Sequence, residues 1–165
     1  MKTKVHKEDQ KGIVGVAGEF FVAAELSQRG IVATMTLKNT PAIDILATNL
    51  SNGKSANIQV KTMSIGNNTG WRLGKKDEVF SGIANHYYVF VNLKGEGLLP
   101  EYIVVPQKEL SSLIKKIHKE WISGTKKDGT ARKDSGIRLF NPKSNADCKR
   151  IADKYRDNWE VLGLM

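Results

Sequence analysis

At 165 residues, with 40% hydrophobic and 26% charged, the chain has the length of a single domain and enough apolar content to bury about 70% of its unfolded surface. Its one cysteine, Cys148, excludes an internal disulfide and the multi-cysteine zinc sites. No apolar run nears the roughly 20 residues of a membrane span, and the charged start MKTKVHKEDQKG lacks a secretory core, so a cytoplasmic protein with no membrane partner is expected.

The net charge is +9 and it is uneven. Residues 106–156 hold 14 basic against 6 acidic residues, whereas residues 1–105 hold 12 against 9. Such a surface concentrates polyanions, nucleic acid foremost, although an ordinary solvated cationic face gives the same count.

In chain order, Ile13, Ala17, Phe20, Phe21 and Ala24 recur at helical spacing from Ile13 to Gln28, and Gly30 marks a stop. Ile31 to Leu37 reads as a strand, followed by a break at Thr40-Pro41. Ala42 to Leu50 and Ala56 to Met63 read as two more strands about a turn at Asn52-Gly53. A glycine-bearing loop then leads to a short helix near Asp77 to Ile83. Tyr87 to Leu93 is apolar throughout, as in a strand buried on both faces, and Tyr102 to Val105 is its expected antiparallel partner. Pro106 opens a helix to about Ile122 whose apolar face is Leu110, Leu113, Ile114 and Ile117. Residues 124–136 read as a mobile charged loop, and Ser144 to Arg156 as a last helix with Trp159 and Leu162 packing back. The order implies one α/β domain over residues 1–165, a sheet with helices on its faces. Its core spans about 13–105 and a basic extension about 106–165.

Four polar residues stand where the pattern calls for burial. Asp44 lies between Ile43 and Ile45. Gln59 and Lys61 share one face of the third strand, while Ile58 and Val60 share the other. A hairpin about Asn52-Gly53 sets Asp44 opposite Gln59. Glu19 sits on the first helix among Gly15, Val16, Val22 and Ala23, and Gly15 and Gly18 suit a close approach to a strand or a phosphate. Singly, each has an ordinary structural reading: a turn cap, a half-exposed strand, a solvated helix face. Together they call for a common cause, because burying an unpaired charge costs several kcal/mol. A divalent cation on carboxylate and amide oxygens, with a lysine beside it, supplies one.

Gly18-Glu19, Pro41-Ala42-Ile43-Asp44 and Gln59-Val60-Lys61-Thr62, each on its expected element, resemble the PD-(D/E)XK nuclease superfamily over residues 13 to about 93. The resemblance implies a restriction-endonuclease-like fold: a mixed central sheet flanked by helices, with an αβββαβ core and additional C-terminal helices. Gln59 departs from the usual Glu or Asp, as in Gln-x-Lys members that include some homing endonucleases. By the resemblance, Asp44, Gln59 through its amide oxygen and the Val60 carbonyl hold Mg²⁺ or Mn²⁺. Glu19 binds a second ion or a metal-bound water, and Lys61 orients or deprotonates the attacking water. Arg72, Lys75 and Lys76 beside the site, and Lys126 and Lys127 farther along, are the expected nucleic-acid contacts, and a homodimer that cuts both strands is an assembly the family uses. The expected activity is metal-dependent phosphodiester hydrolysis in DNA; the alternative is a catalytically impaired nucleic-acid-binding or assembly module of the same fold. No Gly-rich phosphate loop is present. His86 reads as a strand-edge residue and Cys148 as a small core residue rather than a nucleophile.

Overall fold

The apolar run expected to be buried on both faces becomes an interior strand of a five-stranded sheet. The computed structural model describes residues 7–37 and 42–165, so the expected break at Thr40-Pro41, and Pro41 of the motif, lie outside the described residues. The elements are α1 (Lys7–Gln28), β1 (Val32–Met35), β2 (Ile45–Thr48), β3 (Ser55–Met63), β4 (Trp71–Gly74), a 3-10 turn (Lys75–Glu78), β5 (His86–Asn92), β6 (Glu101–Pro106), α2 (Gln107–Ile122), β7 (Ile137–Phe140), α3 (Ala146–Tyr155) and a second 3-10 turn (Trp159–Leu162). The main sheet runs β1-β2-β3-β5-β6, and β4 pairs with β7 as a separate ribbon. Among the described residues, only the β3–β5 pairing is parallel; the others are antiparallel.

Two apolar layers sandwich this sheet. On one face, Ile58, Val60, Val89 and Val91 pack against Val22 and Leu26 of α1 and against Trp159 and Leu162. On the other, Met63, Tyr88 and Phe90 pack against Leu110 and Ile114 of α2, Phe140 of β7 and Cys148 and Ala152 of α3. The ribbon, α2 and α3 cover the β5–β6 side of this second face. At the β1–β2 edge Leu46 is exposed, so Asp44, on the same side of β2, lies where the cover ends. Among the described residues, no helix is long and apolar enough to cross a membrane.

Several expectations need correction. The helix near Asp77 to Ile83 is one 3-10 turn, Lys75–Glu78. The Asp77 carboxylate takes the Gly74 N–H at 2.6 Å, and Gly82 adopts φ +83°, so a longer helix is stopped on both sides. The sequence pattern predicts neither strand β4 nor its partner β7. Residues 124–136 close a small hairpin, with Thr125 bridging Ala131 and the Lys126 N–H donating to the Thr130 carbonyl at 2.8 Å. The strand expected over Ala42 to Leu50 is only Ile45–Thr48, since Ala42 takes a left-handed φ of 60° that turns the chain out of the ladder.

Helix α1 is also rotated from its apolar stripe. Ile13 and Phe20 are exposed, whereas Gly18, Val22 and Leu26 face the sheet. A Cβ built on Gly18 would lie 1.9 Å from Thr62 Oγ1. The helix therefore crosses β3 at a distance only glycine permits, which fixes the face it presents.

Candidate functional site

The β2–β3 hairpin has the register expected from sequence: Ile45 pairs with Ile58, Leu46 with Asn57 and Thr48 with Ser55. One step beyond the ladder, the Asp44 N–H donates to the Ile58 carbonyl at 2.8 Å, which sets Asp44 opposite Gln59. β2 then departs, and the Val60 N–H, left without a strand partner on that side, donates to Asp44 Oδ2 at 2.7 Å. Gln59 Nε2 donates to the same oxygen. The half-buried Asp44 carboxylate thus accepts from one side chain and one backbone amide where two strands part. A carboxylate placed so also has a structural effect, satisfying an N–H the split would orphan.

Side-chain alternation puts half-buried Lys61 on the same face as Gln59. The structure therefore brings Asp44, Gln59 and Lys61 to one side of the sheet, at the border between its covered and open parts. Val60 points the other way, into the α1 layer, so only its backbone faces this border. Glu19 is half-buried on α1, the helix of the opposite face. It follows Gly18, which touches Thr62, and Thr62 follows Lys61; Glu19 thus lies beside the helix–strand crossing.

A buried polar row continues the site inward, and sequence reasoning missed it. In the β3–β5 ladder Gln59 pairs with Tyr88. The Tyr88 hydroxyl donates to Asp77 Oδ1 at 2.6 Å. Burial, together with the nearby Asp77 and Asp44 charges, pushes this phenol's pKa far up, so it stays a donor. Asp77 is itself 5% exposed. His86, two residues before Tyr88, stacks on the Tyr88 ring, centroids 5.7 Å apart. It is 2% exposed and buried rather than at an open edge. Burial lowers its pKa against the opposing pull of the Ala42 backbone and Asp77, and neither ring nitrogen makes a hydrogen bond of ordinary geometry to a described residue. The sequence signal for this row was the alternation of His86, Tyr88 and Phe90 on the face of Gln59 and Lys61.

The basic candidates are all exposed. Lys75 and Lys76 are exposed on the 3-10 turn that presents Asp77, and exposed Arg72 sits on β4 just before it. Lys126 and Lys127 are exposed on the hairpin after α2. The returning arm of that hairpin is tied to the turn, because the Lys75 N–H donates to the Gly136 carbonyl at 3.0 Å. Arg138, with a side chain 2% exposed, fixes the same junction by pairing with Glu78 and Asp134; this holds the Asp134 carboxyl well below the usual range. Cys148 has its thiol pushed up to about 11 by burial, so it is un-ionised at neutral pH and inert as a nucleophile.

For a hard cation, the fit rests on donor chemistry. The border offers one carboxylate, one side-chain amide and backbone carbonyls, all oxygen donors of the kind Mg²⁺ accepts. Among the described residues, no group of three His, Cys, Asp or Glu side chains converges. The set therefore suits an ion that keeps most of its waters and shares a phosphate, not one enclosed by protein.

No family model matches the sequence, and a search of curated proteins finds no match. Among solved structures, the bacterial homing endonuclease I-Ssp6803I aligns with a TM-score of 0.51 and 14% identity, over 92% of this chain and 91% of its own. Hjc, the Holliday junction resolvase of Archaeoglobus fulgidus, aligns with a TM-score of 0.48 and 14% identity, over 92% of this chain and 97% of its own. With a mixed five-stranded sheet, a parallel β3–β5 step and the likeness to I-Ssp6803I, the chain has a restriction-endonuclease-like fold.

Proposed function

We propose that the protein is a metal-dependent nuclease that hydrolyses phosphodiester bonds in DNA. The observation that carries this reading is the meeting of Asp44 and Gln59, with Lys61 on the same face, where β2 parts from β3. Asp44, the Gln59 amide oxygen and the Val60 carbonyl would hold Mg²⁺ or Mn²⁺, with Glu19 serving a second ion or an ordered water. When bound, such an ion polarises the phosphate and lowers the pKa of a coordinated water. Lys61 orients the attacking water or takes its proton, and its ammonium offsets charge that builds on the phosphoryl oxygens. The water oxygen forms a new bond to phosphorus and the bridging P–O bond breaks, leaving a phosphate monoester and a free hydroxyl. Arg72, Lys75 and Lys76 would grip the backbone beside the reacting phosphate, and Lys126 and Lys127 a more distant stretch.

The test is cleavage of duplex, single-stranded and branched DNA with Mg²⁺ or Mn²⁺. Asp44→Ala and Lys61→Ala should each lower the rate by at least about a hundredfold, the scale of losing a positioned catalytic group; Glu19→Gln should show a smaller loss. Unchanged cleavage in the first two variants rejects the assignment.

A second reading is favoured by the hydrogen bond from Gln59 to Asp44, which satisfies the carboxylate without metal. In it, the protein binds nucleic acid or assembles on it without cutting. DNA binding that is unaffected by EDTA, with no cleavage under any metal, would select it.

A further inference from the structure

We propose that the cleft between α2 and β7 binds an unpaired base of a single-stranded nucleic-acid segment. The inference rests on the nucleic-acid part of the reading above and not on cleavage. The cleft encloses about 390 Å³, and its walls include Ile117 and Trp121 from α2 and Ile137 and Leu139 from β7. β7 inverts the usual strand pattern: Arg138 and Phe140 point inward, and the apolar Ile137 and Leu139 point out, each 41% exposed. Trp121 is 44% exposed, while Trp71 and Trp159 are 6% and 3% exposed. Three large apolar side chains from two elements thus stay wet around one opening, where a solvated surface would carry polar groups.

Charge selects the occupant. Lys119, Lys126, Lys127 and Lys133 are exposed on α2 and the hairpin that border the cleft. Of the nearby acids, Asp134 is held by Arg138 and His118 and Glu120 by Lys116, while Asp128 on the same hairpin takes hydrogen bonds from Thr130; the basic residues outnumber them. An apolar slot inside a cationic rim fits a polymer of flat rings on an anionic backbone. Arg132 lies over the Trp121 ring, its guanidinium 5.1 Å from the ring and donating to the Trp121 carbonyl at 2.7 Å, and His118 stacks on the same ring at 5.7 Å; planes of this kind stack on bases. Ser135 and Ser144 at the lining offer hydroxyls to a base edge. A base that is paired in a duplex cannot enter, so the substrate would carry a flap, gap, fork or junction.

The full chain in EDTA, where no cleavage occurs, is titrated with an oligothymidylate of about 16 nucleotides, the upper range of single-strand site sizes, and with a blunt duplex of equal length. The single strand should quench tryptophan emission, and the duplex should not. Trp121→Ala should abolish the quenching and weaken single-strand binding about tenfold, in the range of one lost stacked base. Leu139→Ser, an exposed position, should weaken it in the same direction. Equal quenching by both ligands, or both variants binding as the parent does, overturns the proposal. Loss of cleavage in Asp44→Ala alongside unaltered binding in Trp121→Ala rejects the slot and keeps the nuclease; selective quenching with no cleavage of any substrate keeps the slot and rejects the nuclease.

Discussion

At the scale of single residues, the site turns on an amide standing where a second carboxylate would be expected. Gln59 donates to Asp44, so the pair is at rest without a cation. Replacing it by Glu puts two carboxylates face to face. In EDTA, Gln59→Glu should lose about 2 kcal/mol of stability, the worth of a hydrogen bond to a charged group. Added Mg²⁺ should restore the melting temperature and bind at least about tenfold tighter than in the parent, since a full charge joins the donor set. Calorimetric titration checks both, and an unchanged affinity would mean that position 59 does not face the ion. His86 gives a pH signature. Unfolded histidine titrates near 6.5, and the folded pKa is lower because burial disfavours the charged ring. The stabilising contribution is complete above about pH 6.5 and is lost as the pH falls toward the folded value. Denaturant midpoints between about pH 7.5 and 5.5 should drop, and His86→Phe should flatten that slope. Asp44, Gln59 and Lys61 were legible from sequence because hairpin register and alternation are local rules. Asp77 was not legible as a partner of Tyr88, because a turn of four residues gets its position from tertiary pairing.

At the scale of elements, Gly18 decides how α1 meets the sheet. Gly18→Ala gains helix propensity of about 1 kcal/mol, but its methyl would overlap Thr62 Oγ1. Overpacking of this kind costs about 1–3 kcal/mol, so a net loss in denaturant unfolding is expected. Thr62→Ala should recover part of it in the double variant, because only Thr62 Cβ then remains in the way. If the single variant is as stable as the parent, the close crossing is not a constraint. The same contact explains why the apolar stripe of α1 was misread: Ile13 and Phe20 fit helical spacing, yet a glycine, which carries no hydrophobic signal, sets the rotation. α2, by contrast, buries Leu110, Leu113 and Ile114 as its periodicity predicts. The β4–β7 ribbon was invisible because each strand has only four residues, too few to establish alternation, and their partners lie far apart in sequence.

Over the whole molecule, the fold was readable from element order and the apolar interior strand β5, while the crossover between the parallel strands was not. The late basic segment should govern binding outside the cleavage site. Replacing Lys126 and Lys127 together by Ala should weaken DNA binding evenly across sequences. It should also reduce the slope of log affinity against log salt by up to about 1.8, at about 0.9 for each released phosphate contact on duplex DNA. Fluorescence anisotropy at several salt concentrations measures it, and an unchanged slope removes those two lysines from the interface. The ribbon bears on how the chain is made. A nascent chain emerging as far as the end of α2 already carries every strand of the main sheet, yet Trp71 and Phe90 still await Phe140, which stacks on Phe90 at 4.4 Å. Closure of that layer thus waits on the synthesis of β7, and a ribosome stalled before it would leave an aromatic surface open to chaperones and proteases.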